Sequence, residues 1–177
     1  MDGDAYLDDV RREYRRLKDL ADRALAQVSE EDLFHVTDPQ SNSLAVVIKH
    51  IAGNMRSRWR DFLTTDGEKP DRHRDLEFVL GEDDTAAALR ARWEEGWEFA
   101  LGTLDALDPE DLTRSVAIRG ETHTVLQAIQ RQLVHYAYHV GQIVHLARSR
   151  AGADWTTLSI PRGGSHEFNE DPAPYIV

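Results

Sequence analysis

Cysteine is absent from this chain of 177 residues. Disulfides, thiolate metal ligands and a catalytic thiol are therefore excluded, and any bound metal has to be held by nitrogen or oxygen. No uninterrupted run of about eighteen apolar residues occurs, so no segment reads as a membrane-spanning helix. Met1–Val10 lacks the basic start and apolar stretch of a secretory signal, and with the missing cysteines this sets the expectation of a cytoplasmic protein. Positive charge is in deficit: 21 Lys+Arg stand against 32 Asp+Glu, a net charge of -11. Polyanions such as nucleic acid are poor partners for such a chain. Internal repeats, low-complexity tracts, His-Glu-x-x-His, Gly-x-Ser-x-Gly and phosphate-loop patterns are all missing.

The length suits one ordinary domain over residues 1–177, able to bury about 70% of its unfolded surface without staples. Four amphipathic segments emerge from the apolar spacing. The first carries Leu7, Val10, Tyr14, Leu17, Ala21, Ala24 and Val28. A second, capped by Asn42 or Ser43, carries Leu44, Ile48, Ile51, Met55, Trp59 and Phe62 and ends before Asp66-Gly67. The third, capped by Asp83 or Asp84, carries Ala86, Leu89, Trp93, Trp97, Ala100 and Leu104 and stops at Asp108-Pro109. The fourth opens on a capping box at Thr124-Val-Leu-Gln127 and runs to about Arg148. Thr64 to Gly81, rich in charge and holding Gly67 and Pro70, reads as a long surface connection. Ser115–Ile118 and Thr122–Val125 around Arg-Gly-Glu give a weak hairpin signal. The expected fold is all-α: a four-helix bundle over about residues 5–150, of antiparallel type but with wiring that need not be simple up-and-down. A short β-hairpin precedes its last helix, and an irregular tail over about residues 153–177 is expected to cover the mouth of the bundle or reach a neighbouring subunit, the alternative being a disordered terminus.

Three histidines stand out. His135 and His139 are four apart on the last helix, so their rings lie about one turn, roughly 6 Å, apart on one face. His50 sits on the second helix, at the edge of its apolar stripe. Three imidazoles with an unfilled fourth position form the arrangement that activates a bound molecule rather than stapling a fold. Hydrogen-bonded core or boundary roles are the alternative for each ring. The other five histidines fall in or beside loops, or off this face. Along the last helix the polar stripe continues through Arg131 and Gln142, with Val134, Ala137, Tyr138, Val144 and Leu146 available to pack around it. Asn54 and Gln142 are candidates to orient a ligating ring or a substrate, and Arg131 or Arg58 to hold a carboxylate. Gly141, inside a helix, suggests close helix approach or a subunit contact. No carboxylate falls on the ligand stripe, and Glu-x-x-His pairs for a di-iron site are missing.

These residues resemble the DinB superfamily: a histidine in the second helix and His-x-x-x-His in the fourth. Lys49-His-Ile-Ala-Gly-Asn-Met55, Ser57-Arg-Trp-Arg-Asp-Phe-Leu-Thr-Thr-Asp-Gly-Glu-Lys69, His139-Val-Gly-Gln-Ile143 and Leu158-Ser-Ile-Pro161 are similar to an uncharacterised bacterial subgroup of that superfamily, a domain of unknown function. The resemblance implies a four-helix bundle, often a homodimer, with a divalent metal, Zn or Ni ahead of Fe or Mn, at residues matching His50, His135 and His139. Some superfamily relatives are thiol-dependent, which implies a low-molecular-weight thiol as a further cofactor.

The expected function is a divalent-metal-dependent enzyme acting on a small molecule, of hydrolase or thiol S-transferase type. The alternative is a non-catalytic, metal-stabilised or small-ligand-binding dimeric bundle, and a third option is a helical interaction module without metal.

Overall fold

The computed structural model describes residues 2–172. It contains α1 (Gly3–Leu25), α2 (Glu30–Phe34), α3 (Leu44–Trp59), α4 (Ala86–Ala106), β1 (Ser115–Ile118), β2 (Glu121–Thr124), α5 (Val125–Ala151) and α6 (Ser165–Glu170). The long helices α1, α3, α4 and α5 form the bundle. Each begins on a short polar cap, as helix starts with orphaned N–H groups favour: Asp2, Ser43, Thr85 and Thr124, the last in a full capping box with Gln127. The cap of α4 is Thr85, not Asp83 or Asp84. Asp84 is instead buried in ion pairs with Lys49 (2.7 Å) and Arg92 (2.5 Å) that tie the start of α4 to α3.

Cross-helix hydrogen bonds fix the wiring. The start of α3 meets the start of α4 through Lys49 and Asp84, and their ends meet where Thr103 Oγ1 donates to the Trp59 carbonyl (3.1 Å), so the two run parallel. α1 and α5 are parallel too: Tyr6 faces Gln130 near their starts, and Gln27 meets Thr156 beyond their ends. α1 is antiparallel to α4 through Arg11–Leu104 and Asp22–Trp93, and α3 antiparallel to α5 through His50–His135 and Asn54–Gln132. The order is therefore up-down-down-up, and residues 60–85 are the crossover that makes the parallel α3–α4 step possible. Gly96 lets those two helices touch, since a Cβ there would come within 3.3 Å of the Ala52 Cα.

All the stripe positions expected on α3 and α4 are buried, and on α1 the burial matches except that Leu25 replaces Val28 at the end. At mid-bundle each long helix contributes one aromatic ring. Tyr14 lies edge-on to Trp59 (5.7 Å) and Tyr136 (5.9 Å), and Trp97 packs on Tyr136 (6.0 Å). The packing face of α5 differs from the expected one: Val125, Ala128, Ile129, Gln132, Tyr136, Val140, Ile143 and Ala147 are buried, whereas Ala137 is exposed and Val134 and Tyr138 are 68% and 64% exposed. Val144 and Leu146 do pack against the core in part.

The crossover is less superficial than its charge suggested. It includes a 3₁₀ turn, Arg74–Phe78, lies against α3 and buries Gly67, Lys69 and Glu77. α3 is consequently covered nearly all round. β1 and β2 pair antiparallel in the register Ser115↔Thr124 to Ile118↔Glu121, turning through Arg119 (φ 57°) and Gly120 (φ 74°), the two left-handed positions of a tight hairpin. The Asp66 carboxylate accepts from both turn amides (2.8 and 2.7 Å) and the Ala117 carbonyl accepts from Gly67 N–H (2.8 Å), so the hairpin is stapled to the crossover. The tail is not wholly irregular, since it contains α6. Its first part packs along the end of α1, where Thr156 and Leu158 hydrogen-bond Gln27 and Arg23, and does not line the cleft described below. Residues 173–177 of that expected tail lie outside the described residues.

Candidate metal centre

Antiparallel contact between α3 and α5 places His50 opposite His135 and His139. The ring centroids are 4.9–5.4 Å from His50 to the other two, and 4.6 Å between that pair. Each ring offers a nitrogen such that all three nitrogens lie within 4.8 Å of one another. His50 Nε2 and His135 Nε2 are 3.4 Å apart. Nitrogens that share a tetrahedral ion at roughly 2.0–2.1 Å are about 3.4 Å from each other, so this pair already has the required spacing, and His139 offers its nitrogen within the 4.8 Å spread of the trio.

Protonation favours ligation. Burial, reinforced by His139, His50, Arg72 and Arg58, pushes His135 down to about 3, and burial also lowers His139 against the opposing hydrogen bond to Gln142. Both rings are therefore neutral at pH 7, the form that carries a free lone pair. The tautomers are set from behind. His50 Nδ1 lies 2.8 Å from Glu77 Oε2, and Arg72 grips the same carboxylate through two bonds, Nε to Oε1 (2.8 Å) and a terminal nitrogen to Oε2 (2.9 Å). Burial raises the Glu77 carboxyl, but the bonds from His50 and Arg72 outweigh it and hold the group below the usual glutamate range. An ionised carboxylate only accepts, so His50 Nδ1 carries the proton and Nε2 is left as a lone pair. In the same way Gln142 Oε1 accepts from His139 Nδ1 (2.8 Å). His135 Nδ1 is buried without a partner among the described residues.

Glu77 reaches His50 because Gly53 has no side chain. A Cβ at Gly53 would stand 2.5 Å from Glu77 Oε1. Behind the rings, Tyr136 Oη accepts from Trp59 Nε1 (2.9 Å) and Gln132 Nε2 (3.0 Å) and donates to Asn54 Oδ1 (3.1 Å). Asn54 Oδ1 also accepts from Gln132 (2.6 Å), so its oxygen is committed inward. Phe78 covers the other side of His50 at 4.9 Å.

The trio opens onto a cleft of about 380 Å³, whose lining includes every residue singled out from the sequence: His50, His135, His139, Asn54, Arg58, Arg131 and Gln142. They play different parts. Gln142 buttresses His139, Asn54 belongs to the Tyr136 network, and Arg58 is locked to Glu68 (2.8 Å) and the Gly67 carbonyl. Arg131 is exposed at the rim, where its guanidinium donates to His123 Nε2 (3.2 Å). Sequence reasoning missed Glu77, Arg72, Arg74 and Arg119; it found no carboxylate on the ligand stripe of the helices, and Glu77 arrives from the 3₁₀ turn of the crossover instead. The only signal for Glu77, Arg72 and Arg74 was the dense charge of the crossover, and Arg119 sits in the hairpin turn, where nothing in the sequence pointed to the histidines. His123, set aside as a loop residue, orients Arg131.

The family model described as "Protein of unknown function (DUF1572)" matches residues 2–164, and the chain belongs to that family. Its fold resembles the DinB-like bundle. No curated protein matches the chain. No helix among the described residues is long and apolar enough to cross a membrane.

Proposed function

We propose that this member of the DUF1572 family is a divalent-metal-dependent enzyme in which His50, His135 and His139 hold the cation, zinc or nickel ahead of iron or manganese. The observation that carries this reading is three imidazoles, with His135 and His139 shifted toward the neutral form and His50 and His139 presenting Nε2 lone pairs, at the floor of an open cleft. A structural metal site is closed by a fourth protein ligand, and the described residues bring only three such groups together. That weighs against the non-catalytic, metal-stabilised alternative. When bound, a cation of this kind supplies a Lewis acid that makes a nucleophile of water or a thiol at neutral pH, the chemistry of hydrolysis or thiol S-transfer.

The protein's own residues supply the remainder. Glu77 and Gln142 orient two of the rings, Arg72 holds Glu77 in place, and Phe78 shields His50 from water. The Asn54 amide nitrogen, which makes no hydrogen bond to the described residues, is a donor for a bound substrate. A low-molecular-weight thiol as cosubstrate and a homodimer belong to the same reading. For the dimer, Gly141 has nothing within 4 Å of its missing Cβ and shares an exposed face of α5 with Val134 and Tyr138, so no contact within the chain explains it.

Metal analysis of protein purified without a histidine tag tests the proposal, with His135→Ala as the partner variant. We expect one equivalent of divalent metal per chain in the parent protein and loss of metal with retained helicity in the variant. Metal-free parent protein after equilibration with zinc and nickel would sink it.

A further inference from the structure

The cleft wall holds five arginines, Arg58, Arg72, Arg74, Arg119 and Arg131, and no aspartate or glutamate. In a chain with 32 acidic and 21 basic residues this is the reverse of the overall balance. Carboxylates behind the wall offset only part of the charge. Glu68 is shared by Arg58 (2.8 Å), Arg72 (3.1 Å) and Arg119 (3.2 Å). Glu77 is taken by Arg72 and His50. Arg74 stands over Phe78 at 5.0 Å, and its acidic neighbour Asp75, at 3.6 Å, has a side chain 98% exposed and so well screened. Arg131 has no ion-pair partner among the described residues. It contacts His123, whose Nδ1 donates to the Glu121 carbonyl (3.0 Å), so that Nε2 receives the arginine; the Glu121 carboxylate is 3.9 Å from that Nε2, and with its side chain 74% exposed it is screened by solvent.

A cation held by three neutral imidazoles beside these guanidiniums would gather like charge in one partly enclosed space. That charge is relieved only by an anion entering the cleft, and low-dielectric walls focus the attraction. Arg131 is one helical turn before His135, so a group it holds lies about 6 Å from the histidine face, within the span of a small molecule. The guanidinium fork matches the paired oxygens of a carboxylate or phosphate.

We infer that the substrate is a small oxyanion-bearing molecule, its carboxylate or phosphate held at the rim by Arg131 and Arg74 while its reacting group faces His50, His135 and His139. The inference rests on the proposed metal site only for where the reacting group lies; the anion subsite stands on the arginines.

Calorimetric titration of the untagged, zinc-equilibrated full chain tests it, with succinate and inorganic phosphate as probes and 2-mercaptoethanol as an uncharged thiol. We expect saturable one-site binding of succinate or phosphate, and which of the two binds tighter identifies the oxyanion. Affinity falls by about tenfold or more in Arg131→Gln or Arg74→Gln, as for loss of a charge-assisted hydrogen bond. Arg131→Lys retains part of it, and Arg148→Gln, an exposed change on α5 away from the cleft, leaves it unchanged. Metal content and melting temperature stay at parent values in the rim variants. No saturable binding of either anion, or binding indifferent to both rim substitutions, overturns the inference. Bound metal without anion binding removes the anion subsite alone, whereas anion binding without metal removes the proposed catalytic centre and leaves the subsite standing.

Discussion

Replacing Glu77 by glutamine separates the two tasks of this carboxylate. It is 7% exposed and accepts from His50 Nδ1 and from both arms of the Arg72 fork. Glutamine keeps the shape but offers one acceptor oxygen and an NH₂ group. Either His50 or Arg72 therefore faces a donor with a donor. If the oxygen stays with Arg72, His50 loses the partner that fixes its proton on Nδ1. Losing such a partner typically weakens metal affinity by about 10–100-fold, or about 1.4–2.8 kcal/mol. The fold is affected separately: the Arg72 side chain is 4% exposed and keeps the glutamine oxygen as an acceptor and, as its remaining carboxylate partner, Glu68 at 3.1 Å. Breaking a buried pair outright costs about 3–5 kcal/mol, and the surviving acceptor and Glu68 bring the expected loss to about 1–3 kcal/mol. For a chain of this size that is a fall of about 3–10 °C in melting temperature. Competition with a chromophoric chelator at pH 7.5 reads the first effect and thermal melting of the metal-free protein reads the second. A lower melting temperature with metal affinity within twofold of the parent would refute the orienting role and leave Glu77 as a structural partner of Arg72.

Gly53→Ala pits helix propensity against contact: alanine gains about 1 kcal/mol in a helix interior, but its Cβ would meet Glu77 Oε1 at 2.5 Å. We expect the chelator assay to show weakened metal binding with unchanged helicity, and unimpaired affinity would mean that the 3₁₀ turn shifts without cost. Tyr136→Phe leaves Trp59 Nε1 without its acceptor in the bundle centre and should destabilise the protein by about 1–3 kcal/mol in urea unfolding; a loss under 0.5 kcal/mol would show the network to be dispensable. The pH dependence has a definite sign. Unfolded His135 takes up a proton near pH 6.5, whereas the folded ring stays neutral until about 3, so the metal-free protein loses stability as pH falls from about 6.5 toward 3. Melting temperatures across that range should decline less steeply in His135→Ala, and identical slopes would contradict the shift.

The bundle was legible because burial repeats at helical period. Tyr14, Trp59 and Trp97 fall on the apolar stripes of α1, α3 and α4, and Ser43 and Thr124 announce helix starts through chemistry confined to a few residues. The pair His135 and His139 was legible for the same reason, since i, i+4 spacing is a local property of any helix. Where α5 packs was read less well: its core face includes Gln132 and Tyr136, joined by hydrogen bonds to Asn54 and Trp59, and a polar group buried with its partner has no apolar signature in one dimension.

Residue spacing along single helices thus determined the four long helices, the caps of α3 and α5 and two of the three rings. Tertiary structure alone decided the up-down-down-up order, the arrival of His50 opposite the pair, and the delivery of Glu77 and Arg72 from the crossover and Arg119 from the hairpin turn. The contacts of His50 with Glu77 and His135 join residues 27 and 85 positions apart, and those between α1 and α5 join residues 124 and 129 apart. Such contacts leave no periodic trace, because loop closure is repaid by charge pairing and burial that exist only once the chain is folded.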